Sequence, residues 1–205
     1  MGNTDTISKA TVSRMPAYLR YLKGEAGKGV DYVSSAVIAK DMGYSAVGVR
    51  KDLAIVSSLQ GKPRMGFGVE RLIADIEKFL GYHRWTNAVV VGAGGLGRAI
   101  LSYDGFDNYG IHIVAAFDNA PSQIGAIAGK PVYPMERLKE IVTRSGVTAG
   151  VLTVPRGAAQ DACDCMIAAG IRSILNFAPV YLHVPDGVTV KYEDLAVSLA
   201  GLCSE

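Results

Sequence analysis

The sequence has 205 residues, of which 49% are hydrophobic and 20% are charged, and its net charge is +2. This composition is typical of a globular protein and excludes a disordered or collagen-like chain. The length allows one or two domains. No apolar run reaches the roughly 20 residues that a membrane helix needs, and residues 1–8 are too polar for a signal peptide. We therefore expect a cytoplasmic protein with no membrane partner.

The charge is distributed unevenly along the chain. Residues 1–68 carry a net charge of +5, whereas the remaining 137 residues carry −3. Such a split indicates different partners for the two segments. A solvated surface alone also produces splits of this size, so the charge by itself does not establish a nucleic-acid partner.

Three short helices are predicted in the basic segment. Pro16 suits the first turn of a helix that buries Tyr18, Leu19 and Leu22 and ends near Gly24. The second helix covers residues 36–42 after two serines, which are favoured N-caps.

A glycine turn at Gly43–Tyr44 separates the second helix from a third, which Ser45 caps and which buries Val49, Leu53 and Val56. Two short helices joined by a tight turn form a helix-turn-helix pattern. Residues 61–69 are predicted to follow as a small β-hairpin, or wing. Apolar residues at helical spacing then predict a connector helix over 69–80, with Gly81 as its C-cap.

The pattern changes after the connector helix. Short apolar strands are predicted at 88–91, 112–117, 149–154 and 173–177, with helices near 97–103, 134–145 and 157–169. Strands that alternate with helices predict an α/β domain with a parallel sheet and helices on both faces.

A glycine-rich motif lies directly after the first of these strands, at Gly92, Ala93, Gly94, Gly95, Leu96 and Gly97. In a G-x-G-x-x-G turn the glycines allow a tight turn, approach of a pyrophosphate, and close packing of helix on strand. Asp118 follows 21 residues later, where an acidic residue accepts hydrogen bonds from a ribose. A carboxylate there repels a 2′-phosphate, which favours NAD(H) over NADP(H). The alternative is an unused glycine turn in another kind of α/β protein.

The third helix carries Arg50 and Lys51, which can reach phosphates or guanine edges in a major groove. Arg14 and Arg64 can add phosphate or minor-groove contacts. Each of these charges taken alone fits an ordinary solvated surface. Their combination on one helix-turn-helix favours DNA.

No catalytic constellation is visible. The three histidines are scattered, and Tyr103, a candidate proton donor, has no Tyr-x-x-x-Lys partner. The cysteines, Cys163, Cys165 and Cys203, match neither a disulfide framework nor a usual zinc spacing, so we expect reduced thiols and no metal.

With these residues in view, nearly the whole chain resembles the Rex family of bacterial redox-sensing transcriptional repressors. The most specific stretches are residues 13–20 (SRMPAYLR), 49–53 (VRKDL), 66–69 (GFGV), 90–94 (VVGAG), 152–155 (LTVP) and 174–180 (ILNFAPV). Generic dinucleotide-binding proteins lack the first and last of them.

The resemblance implies a winged helix-turn-helix DNA-binding domain with its connector helix (1–82), a Rossmann domain that binds NADH or NAD⁺ (83–190), and a C-terminal helix (191–205) exchanged between the subunits of a homodimer. It implies that the dimer binds palindromic operator DNA when NADH is scarce and that NADH releases it. The implied DNA contacts are Arg14, Ser45, Val47, Arg50, Lys51 and Arg64.

Further cofactor contacts are implied by the same resemblance: Thr153, Val154, Pro155, Asn176, Phe177, Ala178 and Pro179. Tyr103 and Asp194 would sense the nicotinamide, and Arg14 would switch partners, pairing with Asp194 of the other subunit in the DNA-competent state. Leu195 stands where relatives often have an aromatic residue that caps the nicotinamide pocket.

Two other functions remain open at this stage. One is an NAD-dependent oxidoreductase with an accessory helical domain, which requires turnover of NADH with a substrate. The other is a CoA- or nucleotide-binding module of the succinyl-CoA-synthetase type, which requires binding of CoA in preference to NADH. Neither accounts for a basic helix-turn-helix as directly as a DNA-binding regulator does.

Overall fold

The computed structural model describes residues 7–58, 61, 65–82 and 85–203. The chain divides into two compact units, Met1–Arg84 and Trp85–Glu205. The first unit contains four helices and a two-stranded sheet in its described part, and the second is built on a seven-stranded sheet. None of the described helices combines the length and the apolar character that crossing a membrane requires.

The first helix, α1 (Lys9–Gly27), begins well before the start predicted at Pro16 and continues past the end predicted near Gly24. The side chain of Ser8 caps it by accepting a hydrogen bond from the N–H of Thr11 at 3.0 Å. Pro16 therefore lies inside the helix, where it cannot donate the N–H that a helix directs at the carbonyl of Val12. The prediction placed Pro16 in the first turn and was wrong, because the serine cap lies further upstream.

The predicted helix-turn-helix is confirmed as α2 (Ser35–Met42) and α3 (Ala46–Val56). Ser34 and Ser45 cap the two helices, each accepting a backbone N–H at 3.2 Å. Gly43 ends α2 in the left-handed region, with φ 69°, where glycine carries no steric penalty. The turn is therefore fixed by signals that lie within the turn itself.

The wing differs from the predicted hairpin. In the described residues, β2 (Phe67–Gly68) pairs antiparallel with β1 (Tyr32–Val33), a strand that the sequence reading missed. The predicted hairpin spans 61–69, of which residues 62–64 lie outside the described residues. The connector helix α4 (Val69–Leu80) is confirmed, with Gly81 as its C-cap at φ 75°.

The second unit contains a seven-stranded sheet in the order β5-β6-β4-β3-β7-β8-β9, in which only the β5–β6 pair is antiparallel. The chain runs from β3 outward to β4 and β6, then returns to the other side of β3 with β7. The strands are β3 (Thr86–Val91), β4 (Ile111–Asp118), β5 (Gly125–Ile127), β6 (Lys130–Pro134), β7 (Ala149–Leu152), β8 (Ser173–Asn176) and β9 (Thr189–Tyr192).

Both faces of this sheet are covered. On β3, Val89 and Val91 pack into a core with α7 (Ala159–Ala169) and α6 (Leu138–Ser145), whereas Val90 packs into a second core with α5 (Gly95–Leu101). Burial on both faces explains why this strand is a continuous apolar run. The predicted fold class, a helical N-terminal domain followed by a parallel-sheet domain, is confirmed.

In the described part of the second unit, three strands were not predicted: β5, β6 and β9. The helix predicted from 134 begins as a helix only at Leu138, because Pro134 belongs to β6 and a short 3₁₀ turn follows it. Within the segment predicted as a C-terminal helix (191–205), Lys191 and Tyr192 belong to β9, and the helix α8 covers Leu195–Leu202.

Gly66 and Gly43 allow a test of the β1–β2 contact. Both have positive φ, 90° and 69°, but a Cβ at Gly66 would overlap the carbonyl oxygen of Val33, whereas a Cβ at Gly43 would meet nothing within 4 Å. We expect Gly43→Ala to lower the free energy of unfolding by about 1 kcal/mol. Gly66→Ala should cost roughly 3 kcal/mol or more, since the strand must move as well. Urea unfolding followed by circular dichroism measures both, and equal losses would contradict the close approach.

Candidate functional site

The glycine-rich turn after β3 is held against the end of β7. The hydroxyl of Thr153 donates to the carbonyl of Gly92 at 2.7 Å. Gly92 has φ 101°, and a Cβ there would lie 2.8 Å from the carbonyl of Thr153. A Cβ on Gly97 would overlap the Gly92 carbonyl oxygen, whereas one on Gly94 would meet nothing within 4 Å. Gly92 and Gly97 are thus required by packing, and Gly94 leaves open space at the start of α5.

Asp118 connects the end of β4 to the same turn. Its Oδ2 accepts the backbone N–H of Ala93 at 2.6 Å, and its Oδ1 accepts that of Ala120 at 2.7 Å. An ionised carboxylate has about four acceptor positions, so capacity for further donors remains. Asp118 therefore lies at the glycine-rich turn, as the spacing predicted.

A cavity of about 490 Å³ opens at this edge of the sheet. It lies at the carboxyl ends of β3, β4 and β7, where the strand order reverses and where open α/β sheets bind ligands. Of the residues predicted to contact a cofactor, those that line the cavity are Gly92, Gly94, Asp118, Thr153, Val154 and Pro155.

Part of the lining was not predicted from the sequence. Two residues on β3 and β4, the loop after β4, the turn before α6, and the start of α7 complete the wall: Val91, Phe117, Asn119, Ala120, Gln123, Met135, Ala158, Asp161, Ala162 and Cys165. These residues could have been predicted from the sequence, because the loop and helix that follow each inner strand must border the same edge of the sheet. The thiol of Cys165 is exposed, whereas Cys163 is buried, and burial raises the pKa of Cys163 to about 11.

Asn176 does not line this cavity. Its side chain is only 1% exposed and organises the loop after β8, donating to the carbonyls of Ala178 and Val180 and accepting the N–H of Ala178. The other predicted contacts of this loop, Phe177, Ala178 and Pro179, are also absent from the cavity lining. Asn176 therefore shapes the loop.

The predicted nicotinamide sensors are on the surface of the second unit. Tyr103 is 60% exposed and packs edge-on against Phe106. Leu195 is 67% exposed. Asp194 caps α8 by accepting the N–H groups of Ala196 and Val197 at 2.9 and 3.0 Å.

Helix α3 presents a polar and basic outer face. Ser45, Val47, Arg50 and Lys51 are exposed, with Val47 63% exposed, whereas Val49 and Leu53 are buried on the inner face. An exposed face of this kind at the second helix of a helix-turn-helix can enter a major groove. Arg64, the predicted wing contact, lies outside the described residues.

Arg14 is bound within its own unit. Its Nε and Nη2 donate to the two carboxylate oxygens of Asp52 at 2.7 and 2.9 Å. The sequence reading did not anticipate this partner, because the two residues are far apart in the chain.

A second cavity, of about 630 Å³, lies between α1 and α2. Two pairs of its polar side chains are engaged with each other: Tyr21 donates to Asp41 at 2.7 Å, and Lys28 pairs with Glu25 at 2.7 Å.

Two family models match the chain. Residues 6–54 match a family described as "Putative DNA-binding protein N-terminus", and residues 83–180 match one described as "CoA binding domain". The two matches divide the chain much as the two compact units do.

Similar curated proteins cover most of the chain. A "Redox-sensing transcriptional repressor Rex" from Carboxydothermus hydrogenoformans is 43% identical over 194 residues, covering 94% of this chain and 93% of that protein. A protein of the same name from Desulforamulus reducens is also 43% identical, covering 94% and 92%. Both are named as repressors rather than as enzymes.

Solved structures agree with these relatives. The crystal structure of RSP, a Rex-family repressor, is 32% identical with a TM-score of 0.85, covering 98% of this chain and 93% of that one. RSP in complex with β-NAD⁺ and operator DNA gives a TM-score of 0.87, covering 98% and 92%. Identity of this extent, over both units and with the same fold, assigns the chain to the Rex family of redox-sensing transcriptional repressors.

Proposed function

We propose that this protein is a transcriptional repressor that binds operator DNA when NADH is scarce and is released by NADH. The observation that carries the proposal is one chain with two binding surfaces, an exposed basic helix in a helix-turn-helix and a glycine-lined cavity at the switch point of a parallel sheet. The related repressor RSP has been solved with operator DNA and NAD⁺, and separately with NADH.

The DNA surface of the proposal is the outer face of α3. Arg50 and Lys51 would contact phosphates and guanine edges, and the exposed methyl groups of Val47 suit a thymine methyl. Ser45 and the predicted contacts Arg14 and Arg64 would add phosphate or minor-groove contacts. The net charge of +5 on residues 1–68 adds a long-range attraction to DNA.

The cavity fits the adenosine half of NAD(H). Its open space at Gly94 admits a pyrophosphate next to the N–H groups that begin α5, and the remaining acceptor positions of Asp118 suit ribose hydroxyls. A carboxylate at that place disfavours a 2′-phosphate, so we propose NADH and NAD⁺ as ligands rather than their phosphorylated forms.

We also propose that the protein works in the cytoplasm as a homodimer. Helix α8 is almost wholly apolar, and its large side chains are exposed, from 64% at Leu199 to 75% at Leu202. A second copy of the chain would cover it by exchange of the C-terminal segment (191–205) between subunits, next to the DNA-binding (1–82) and Rossmann (83–190) domains. Tyr103 and Asp194 would then report the nicotinamide state, with Asp194 pairing with Arg14 of the other subunit.

The regulation follows from linkage. NADH releases DNA only if it binds the released state more tightly than the DNA-bound state, and DNA must then weaken NADH binding by the same factor. A nearly complete switch needs several kcal/mol of such a difference.

The match to a CoA-binding family keeps one alternative testable, since that family shares the parallel-sheet architecture. If the cavity served CoA, that ligand would displace NADH. If the protein were an oxidoreductase, a Tyr103 variant would lose a measurable rate of NADH turnover. The names of the relatives favour neither.

The central test is a DNA-binding titration. The wild-type protein is used to select duplexes from a random-sequence library, and the enriched duplex is titrated in fluorescence anisotropy with NADH, NAD⁺ or CoA. We expect NADH at micromolar concentrations to release the duplex and NAD⁺ and CoA to leave it bound. Indifference to both dinucleotides, or failure to enrich any sequence, would contradict the proposal.

Arg50→Ala should weaken binding to the enriched duplex by about tenfold or more, since a good contact to a base edge provides roughly 1–3 kcal/mol. Binding of NADH should not change. Arg144→Ala removes the same charge from an exposed position on α6 of the second unit and is the matched control. Equal losses for the two variants would show that only overall charge matters.

The cavity can be tested with two glycines and one carboxylate. Gly94→Ala should leave the melting temperature of the ligand-free protein unchanged but block binding of the pyrophosphate, whereas Gly97→Ala should lower the melting temperature itself.

Asp118→Ala should weaken the binding of NADH by about tenfold or more and reduce the preference for NADH over NADPH. Calorimetric titration measures the affinities, and an unchanged NADH affinity in Asp118→Ala would refute the ribose contact.

A further inference from the structure

A carboxylate is buried on the inner face of the helix that faces DNA. Asp52 lies on α3 between the buried Val49 and Leu53, and it is only 3% exposed. It directly follows Arg50 and Lys51, whose side chains are on the exposed outer face. Burial of an ionised carboxylate is costly unless it is paired and hydrogen-bonded.

Among the described residues, the hydrogen-bond donors to the Asp52 carboxylate all lie on one helix, α1. Thr11 donates to Oδ1 at 3.0 Å, and Tyr18 donates to Oδ2 at 2.8 Å. Arg14 donates to both oxygens at 2.7 and 2.9 Å. We define these four residues, Thr11, Arg14, Tyr18 and Asp52, as the Asp52 cluster.

The charge states of the cluster follow from its surroundings. Burial raises the pKa of Asp52, but the hydrogen bonds from Arg14, Tyr18 and Thr11 outweigh that effect and hold the pKa below its ordinary value. Burial, together with the neighbouring carboxylate, raises the pKa of Tyr18 to about 12. At neutral pH the cluster therefore consists of an ionised Asp52, a charged Arg14 and the neutral phenol of Tyr18, which donates a hydrogen bond to Asp52.

Such a cluster contributes more to geometry than to stability. Buried ion pairs are often no more stabilising than apolar residues of similar size, because desolvation offsets their attraction. Their hydrogen bonds are directional, however, whereas the contacts of Val49 and Leu53 tolerate small rotations. The four hydrogen bonds from Thr11, Arg14 and Tyr18 to one carboxylate fix the rotation of α3 about its axis. They also fix the position of α3 along the axis of α1.

We propose that Asp52 is a positioning residue for operator recognition and that Arg14 acts on DNA binding through it. Fixing the rotation of α3 determines where the side chains of Arg50 and Lys51 point, and reading a base edge depends on that direction. This inference rests on the proposed DNA-binding function.

The arrangement also explains how a change at Arg14 reaches α3. The side chain of Arg14 is 35% exposed, whereas that of Asp52 is 5% exposed. Asp52 takes two of the five N–H donors of Arg14, so Asp194 of the other subunit can pair with the remaining donors while Arg14 still holds Asp52. Loss of Arg14 from this arrangement would leave a buried carboxylate supported only by Thr11 and Tyr18.

The test compares specific with non-specific DNA binding. Wild type, Tyr18→Phe and Asp52→Asn are titrated against the duplex enriched by the wild-type protein and against a shuffled duplex of the same composition, at one salt concentration. Tyr18→Phe keeps the ring and removes only the donor to Asp52. Glu77→Gln is the matched control, because it removes the ion pair from Lys23 of α1 to α4 without touching α3.

A positioning role predicts losses confined to the specific duplex. We expect about threefold weaker binding for Tyr18→Phe and about tenfold or more for Asp52→Asn, as for loss of buried hydrogen bonds. Binding to the shuffled duplex depends on charge and should stay within about twofold of wild type. Glu77→Gln should match wild type on both duplexes. A folding defect would instead weaken both duplexes together.

A double variant separates the route through Asp52 from a direct contact of Arg14 with DNA. If Arg14 acts through Asp52, Arg14→Gln combined with Asp52→Asn binds the specific duplex about as weakly as the poorer single variant. Multiplication of the two losses would overturn that part of the proposal.

The remaining outcomes are distinct. Unchanged specificity in both Tyr18→Phe and Asp52→Asn would overturn the positioning role alone, since the wild-type protein would still bind its operator. If Asp52→Asn does not fold, as judged by circular dichroism, Tyr18→Phe decides the question. A wild-type protein that prefers no duplex would overturn the proposed function and this inference with it.

Discussion

The second unit depends on the backbone carbonyl of Gly92 and the groups that contact it. The hydroxyl of Thr153 donates to that carbonyl from the end of β7, and Gly97 of α5 lies directly against it. Because Gly92 and Gly97 carry no Cβ, the glycine-rich turn can approach both β7 and α5 closely. Asp118 adds a third connection from β4. Gly92, Thr153 and Asp118, which make these connections, line one side of the cavity, and the start of α5 at Gly94 leaves open space beside them.

The first unit solves the equivalent problem in the opposite way. There the important connection between helices is a charged side chain, Asp52, with donors from α1 on both of its oxygens. Apolar packing around it, including Leu19 and Leu22, supplies bulk stability. The second unit thus fixes its geometry with two glycines and the side chains of Thr153 and Asp118, and the first unit does so by burying a charged side chain. In both units directional hydrogen bonds fix the positions of neighbouring elements. A surface that recognises a ligand requires its side chains and N–H groups to be positioned this accurately.

Local signals were sufficient for much of this. Ser34, Gly43 and Ser45 define the helix-turn-helix because a cap or a left-handed turn acts within a few residues. The spacing from Gly97 to Asp118 placed the carboxylate at the glycine-rich turn for a similar reason, since one strand and one helix connect them.

The features that escaped the sequence reading depend on distant residues. The strand β1 (Tyr32–Val33) exists only because Phe67 and Gly68 pair with it. The edge strands β5 and β9 have only three and four residues, which is too short for a periodic pattern to identify a strand. Asp52 directly follows Arg50 and Lys51, and nothing near it in the chain reveals its three partners on α1. The side chain of Asn176 organises its own loop through three hydrogen bonds, which the sequence did not indicate.

The two ligands of the proposed function, NAD(H) and DNA, both carry negatively charged phosphate groups. The two binding surfaces offer these phosphates different kinds of donor. Among the described residues that line the cavity there is no lysine or arginine, and two of them, Asp118 and Asp161, are acidic. A phosphate in this cavity would meet backbone N–H groups and neutral polar side chains rather than a cation, an arrangement that suits a small molecule inserted into the cavity. Helix α3 instead exposes Arg50 and Lys51, whose charge acts over a distance and suits a long duplex. The net charge of +5 on residues 1–68 thus favours DNA at that surface, and the net charge of −3 on the remaining residues disfavours DNA at the cavity.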